Sequence, residues 1–423
     1  MQEIGIRQAK IFLAVSDSLS VTRAAGLLNR SQTCVTKSLQ ELEQHLGVSL
    51  FERSPKGVTL TVFGECMLRH AREAAAALAI VADEPVPESA RRTMRMSRLR
   101  SMDVSDRWLD AFLATAEHQD LAVAAEHLGV TSAAVSLSLR KLEDALGAKL
   151  LERTPQAVMP TVIGRDLARY VKLARSHLRH AVNELAGLQG ARRGRVVVGT
   201  LPFVRTIIVP RAITRLLRGH PYLDVATVEG PYDDLAAALR CGDIDLMVGA
   251  LRGGSADRDL SEERILDESL SVVARAGHPL CKRAVVRWQD LLAFDWILPR
   301  RGTPTRELFE QSVARQGQRV PPHVVETSSL VTLRGMLLES DRVTILSRHQ
   351  VLFEEQAGLL SVLAFDLSGT SRPIGITRRR RGQLSPAAAL LADEIRAVAA
   401  AFGREPRHRR PMPLRATATA VGE

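Results

Sequence analysis

At 423 residues the chain is longer than one hydrophobic core holds, so two to four domains are expected, and a composition of 45% hydrophobic and 25% charged residues is that of an ordinary folded protein. Aromatic residues at 4% argue against a platform of stacked rings for single-stranded nucleic acid, whereas a net charge of +11 and a pI near 10.1 point to a polyanionic partner. No run reaches the roughly 18 apolar residues of a membrane span, and the first residues lack a basic start followed by an apolar core, so no membrane partner and a cytoplasmic location are expected.

In the first segment, Ile11, Val15, Ala24, Ala25, Leu28, Val35, Leu39, Leu42 and Leu46 recur at three- and four-residue steps, which predicts three amphipathic helices around one small core. Ser20 and Ser31 stand where a hydroxyl caps the second and third helices, and only Asn29 and Arg30 separate the two, as in a helix-turn-helix. Beyond Gly47, two β runs flank the turn Ser54-Pro55-Lys56-Gly57, giving a hairpin wing and completing a winged helix-turn-helix over residues 4–64. Residues 65–104 read as an Ala-rich helix followed by a linker carrying Arg91, Arg92, Arg95, Arg98 and Arg100.

The chain then repeats itself. Residues 107–164 align without a gap on residues 7–64, with 22 identities in 58 positions, so a second winged unit is expected over 105–164. Its core is kept and its outer face is changed. Thr131 and Ser132 replace Ser31 and Gln32, Leu137 replaces Lys37, and Pro160 replaces Leu60, while Arg140, Lys141 and Arg153 remain for phosphates. Weak non-specific DNA contact, a different subsite and a protein interface are all open to it. Leu167, Val171, Ala174, Leu178, Ala181, Leu185 and Leu188 then mark one continuous apolar face on a helix over 165–190.

From residue 195 to 402, short β runs alternate with helices in βαβα order, which predicts parallel sheets in two α/β subdomains; the Arg- and Pro-rich residues 403–423 read as a disordered tail. Ligands of such sheets bind beyond the strands' carboxyl ends near helix N-termini. That rule selects Thr200, Gly249, Thr303, Ser328 and Ser329 as effector-binding candidates, although such hydroxyls also cap helices. Cys34, Cys66, Cys241 and Cys281 are far apart and show no metal or disulfide pattern, so no cofactor is expected.

The succession Ala24-Ala25, Ser31-Gln32, Leu42-Glu43, Leu50-Phe51-Glu52-Arg53 and Leu60-Thr61 up to Gly64 resembles the LysR family of bacterial transcription regulators. The resemblance implies a periplasmic-binding-protein-like effector domain, a helix over 165–190 that pairs two subunits in a homodimer or homotetramer, promoter DNA and a small-molecule effector as partners, and RNA polymerase as a further one. In a winged unit the third helix enters the major groove. Gln32 and Lys37 are then expected to read bases, with Thr33 and Thr36 beside them and Ser31 capping, while Arg30, Arg53 and Lys56 fix register on phosphates. No serine-hydrolase, zinc-protease, P-loop or dinucleotide motif occurs, so an enzyme is not expected. The alternative is a protein-interaction or solute-binding protein whose winged units do not read DNA.

Overall fold

The structure, a computed structural model, describes residues 4–54, 57–80, 104–155, 157–189, 194–253, 259–367 and 369–404. The Arg-rich linker, Lys56 and all of the expected tail beyond residue 404 lie outside them. The first unit runs α1 (Ile6–Ser18), α2 (Val21–Leu27), α3 (Gln32–Leu46), β1 (Phe51–Ser54), β2 (Gly57–Leu60) and α4 (Val62–Ile80). The second repeats it as α5 (Asp106–His118), α6 (Leu121–Leu128), α7 (Ser132–Leu146), β3 (Leu151–Arg153), β4 (Val158–Pro160) and α8 (Val162–Leu188).

The repeat extends to individual bonds. Ser31 Oγ accepts the Cys34 N–H at 3.2 Å to cap α3, and Thr131 Oγ1 accepts the Ala134 N–H at 3.2 Å to cap α7. Glu43 Oε1 accepts the backbone N–H groups of Leu50 and Phe51 at 2.7 and 3.2 Å, tying α3 to its wing; Glu143 does the same for Leu150 and Leu151 at 2.9 and 3.4 Å. At Gly64 and Gly164 a Cβ would stand 2.1 Å from the carbonyl oxygen of Leu50 or Leu150, so the long helix can start against the wing only where no side chain intervenes. Pro160 pairs with Leu151 at the edge of its hairpin, where a missing donor is tolerated.

The two units share one core. Met67, Ala71, Ala74 and Leu78 of α4 and Leu167, Val171, Ala174, Leu178 and Ala181 of α8 are buried in a single cluster with Phe12, Leu42, Phe112 and Leu142. Small alanines on both helices let their axes approach. This corrects the reading of α8: the apolar face assigned to a second subunit is covered by α4 of the same chain.

The remaining chain builds two lobes. Lobe I contains β5 (Gly194–Thr200), α9 (Ile208–Gly219), β6 (Leu223–Glu229), α10 (Tyr232–Cys241), β7 (Leu246–Ala250), β8 (Leu260–Glu268), β14 (Arg372–Arg379) and α13 (Pro386–Arg404), in sheet order β6-β5-β7-β14-β8. Lobe II contains β9 (Leu270–Arg275), β10 (Trp296–Leu298), α11 (Pro304–Arg315), β11 (Val324–Glu326), α12 (Leu330–Leu338), β12 (Val343–Ser347) and β13 (Leu360–Val362), in order β11-β10-β12-β9-β13. Both sheets are mixed. In each, three parallel strands carry the βαβ pattern, and one reversed strand, β14 in lobe I and β9 in lobe II, pairs antiparallel on both sides and separates them from the outer strand, β8 or β13. Among the described residues no single helix is long and apolar enough to cross a membrane.

Candidate nucleic-acid interface and effector domain

The helix α3 turns Val35, Leu39 and Leu42 into the core and leaves Ser31, Gln32, Thr33 and Lys37 exposed. Thr36 and Arg30 are half-buried beside them. The side chain of Lys37 is 75% exposed and approaches Glu41 at 3.9 Å, a separation at which water screens the pair almost completely, so the ammonium remains available to a duplex. Ser31 is engaged as a cap. Arg53 lies on β1 of the wing, and Lys56 falls outside the described residues. In the second unit the corresponding exposed face is Ser132, Ala133, Leu137, Arg140 and Lys141.

The effector candidates fall on both lobes. Thr200 closes β5, is 2% exposed, and donates its hydroxyl to the Val228 carbonyl at 3.4 Å; beside it Arg205 donates to the Thr200 carbonyl at 3.0 and 2.6 Å and pairs with Glu229 at 3.1 Å. Thr200, Arg205, Thr214, Thr227 and Glu229 line a shallow pocket. Gly249 has φ +154°, and a Cβ there would lie 2.4 Å from Leu201 Cβ, so close packing already accounts for that glycine. Thr303 precedes α11 and donates to the Arg300 carbonyl at 2.7 Å, while Ser329 caps α12 by accepting the Thr332 N–H at 3.2 Å, with Ser328 exposed just before it.

Sequence reasoning missed two polar clusters. At the passage between the lobes, buried Glu268 receives Arg372 at 3.1 and 3.2 Å, and Arg372 also donates to Thr305 Oγ1 at 2.7 Å, on the first turn of α11. Burial raises the Glu268 carboxyl against the opposing pull of Arg372.

The second cluster lies between α4, α8 and lobe I. His70 Nε2 donates to Glu184 Oε2 at 2.8 Å, Arg69 donates to both Glu184 oxygens at 3.0 and 3.1 Å, His177 Nδ1 meets Glu73 at 3.0 Å, and His180 Nε2 donates to Asp245 at 2.7 Å. Burial holds the His70 and His177 imidazoles below their ordinary pKa despite these carboxylates, and burial, then Glu184, pushes the Cys66 thiol up to about 12. Cys66, His70 and Glu184, and likewise His70, Glu73 and His177, bring donor atoms within 4.8 Å of one another. The reading that the cysteines show no metal pattern overlooked this spacing: Cys66 and His70 are one helical turn apart, and their acidic partner comes from a helix more than a hundred residues away. Hydrogen bonds from Arg69, His70 and His177 engage both carboxylates, while the buried His70 Nδ1 has no hydrogen-bond partner.

Two winged helix-turn-helix units on a shared core, followed by a two-lobed α/β domain, define a ligand-responsive DNA-binding regulator. Residues 6–65 and 107–165 match the bacterial regulatory helix-turn-helix protein family of the lysR type, residues 189–400 match the LysR substrate binding domain, and the chain belongs to the LysR family. It is 37% identical over 393 residues to the HTH-type transcriptional regulator GalR of Pseudomonas putida, covering 93% of this chain and 97% of that one, a length that takes in both copies of the repeat. To PcaQ of Agrobacterium fabrum it is 33% identical over 294 residues, covering 69% and 94%. Among solved structures, full-length OxyR of Pseudomonas aeruginosa is similar at 26% identity with a TM-score of 0.51, covering 69% of this chain and 95% of that one.

Proposed function

We propose that this regulator reads promoter DNA in the major groove through Gln32, Thr33, Thr36 and Lys37 of α3, with Arg30, Arg53 and Lys56 on phosphates, and performs no catalysis itself. The observation that carries this reading is the outward presentation of Gln32 and Lys37 from a capped helix whose opposite face is buried. A glutamine amide pairs two-fold with adenine and an ammonium with guanine acceptors. A small anionic effector fits the lobes best, since α11 and α12 aim their N-termini past the ends of β10 and β11, and Arg205 stands by Thr200 across the domain. Such a regulator acts on chromosomal DNA in the cytoplasm. Family members work as oligomers, and with α8 covered, contacts between chains fall to other surfaces.

The test is DNA binding as a function of salt on the protein's own upstream region. Gln32→Ala is expected to lose about 1–3 kcal/mol of discrimination while Lys56→Ala weakens all duplexes alike. Binding of specific and random duplex with equal affinity by the wild-type chain would favour the protein-interaction alternative.

A further inference from the structure

We infer that one chain forms a complete two-reader head, and that its DNA target is an asymmetric site whose two unlike arms are read by α3 and α7. The inference rests on the regulator reading above and adds to it the stoichiometry and the shape of the site. In a two-fold pairing of identical units, residue i of one meets j of the other and j meets i, and residues on the axis meet their own equivalents. The chain shows this pattern internally. The Ile6 N–H donates to Asp106 Oδ1 at 2.8 Å, joining the same position of the two copies, and the equivalent residues Ile4 and Val104 are each 3% exposed in the common core. Along the long helices, Glu73 meets His177 and, one turn earlier, His70 meets Glu184 two turns later, so α4 and α8 run antiparallel. An ion pair recurs in quasi-equivalent form: Arg72 with Asp17 at 3.1 Å and Lys172 with Glu117 at 3.8 Å.

The surfaces through which two single-unit chains could pair are therefore already covered within this one. The readers, however, differ. Where α3 presents Gln32, Thr33 and Lys37, α7 presents Ser132, Ala133 and Leu137, the last 49% exposed, with Arg140 and Lys141 exposed behind them. Exposed apolar side chains at groove-facing positions suit thymine methyl groups, whereas glutamine and lysine suit purine acceptors, so a palindrome cannot satisfy both helices.

The experiment takes the full chain and its natural site, divided by hydroxyl-radical footprinting into two arms, and compares the natural duplex with the two palindromes built from either arm. The natural duplex is expected to bind about tenfold or more tightly than either palindrome. Gln32→Ala with Lys37→Ala should erase protection of one arm, and Leu137→Glu should erase the other; all three positions are exposed, and circular dichroism checks that the variants fold. Equal affinity for a palindrome of the first arm, or an unaltered footprint with Leu137→Glu, overturns the inference while leaving the regulator reading intact. Failure of the wild-type chain to prefer its site over random duplex overturns both.

Discussion

Glu184 of α8 binds both Arg69 and His70 of α4, and replacing it gives a measurable test of the shared head. Glu184→Ala removes three hydrogen bonds, at 3.0 and 3.1 Å from Arg69 and 2.8 Å from His70. Arg69 is about half exposed, so its share is that of a surface ion pair, roughly 0.5 kcal/mol. His70 is buried and would keep a ring N–H with no acceptor, which costs about 1–3 kcal/mol. The expected loss is about 2 kcal/mol, and Glu184→Gln, which keeps an acceptor, should lose about half of that. Hydrogen exchange across residues 62–80 reads the effect locally: 2 kcal/mol corresponds to about a 30-fold fall in protection. If α4 keeps its wild-type protection within about threefold in Glu184→Ala, the polar pairing is not what holds the helices together.

Acidification should loosen the same junction. Burial keeps His70 and His177 below their unfolded pKa, so below about pH 6.5 the unfolded chain binds more protons than the folded one and stability falls as pH drops towards the folded values. Arg69, Glu73, His180, Glu184 and Asp245 face these rings, and the depressed Glu73, Glu184 and Asp245 carboxyls add a second loss only under more acidic conditions. Exchange of α4 and α8 amides measured between pH 8 and 5 checks this, and a flat profile contradicts it. Gly64→Ala and Gly164→Ala should each destabilise their own unit by about 3 kcal/mol or more, since the added carbon meets backbone oxygen; near-neutral melting curves would show that the wing can shift. Cys66, held as the neutral thiol, should resist alkylation at pH 7.5 until the head unfolds, and its labelling in the native state at the rate of an exposed thiol would contradict the burial described here.

Much of this architecture could be read from the chain because local signals agreed. Alanine pairs, caps before α2, α3 and α7, and glycines after α3 and α7 each define an end or a close approach, so both winged units follow from spacing alone. The strands of the lobes follow from β-branched runs between turns. The partner of α8 does not. An apolar stripe says that a face is buried and not what buries it, and only the tertiary structure shows α4 there. The signal that could have suggested it was the interruption of that stripe by His177, His180 and Glu184 at steps of three and four, matched on α4 by Cys66, His70 and Glu73. The antiparallel strands were hidden for a similar reason: βαβ order constrains neighbours, and β14 reaches lobe I from the far end of lobe II. At the effector candidates, Thr200, Thr303 and Ser329 do sit at strand ends or helix starts, but each also has an intramolecular bond, so type and position alone could not separate ligand contact from capping.

On the proposed reading one sensing domain serves two DNA-binding units, and its contacts reach them unequally. Lobe I bonds to α8: Asp259 with Arg169, Asp243 with Lys172 at 3.2 Å, the Gly242 carbonyl with Arg179 at 3.2 Å, and Asp245 with His180. On that reading, closure of the lobes around an effector acts directly on the helix that leads out of the second winged unit, the one lobe I touches. The first unit feels it through the His and Glu pairs between α8 and α4, and through Gln189, whose amide donates to the Gly47 carbonyl at 3.2 Å, at the end of α3. A ligand shifts such an equilibrium only by its difference in affinity for the two states, so the junction need carry no more than the few kcal/mol typical of coupled sites. That is the size of the Glu184 interaction, and on the two-arm reading proposed above a chain lacking it should weaken effector control at the arm assigned to α3 more than at the arm assigned to α7, since Glu73 with His177 and Gln189 with Gly47 remain as links; equal weakening at both arms in effector-dependent footprints would refute this route.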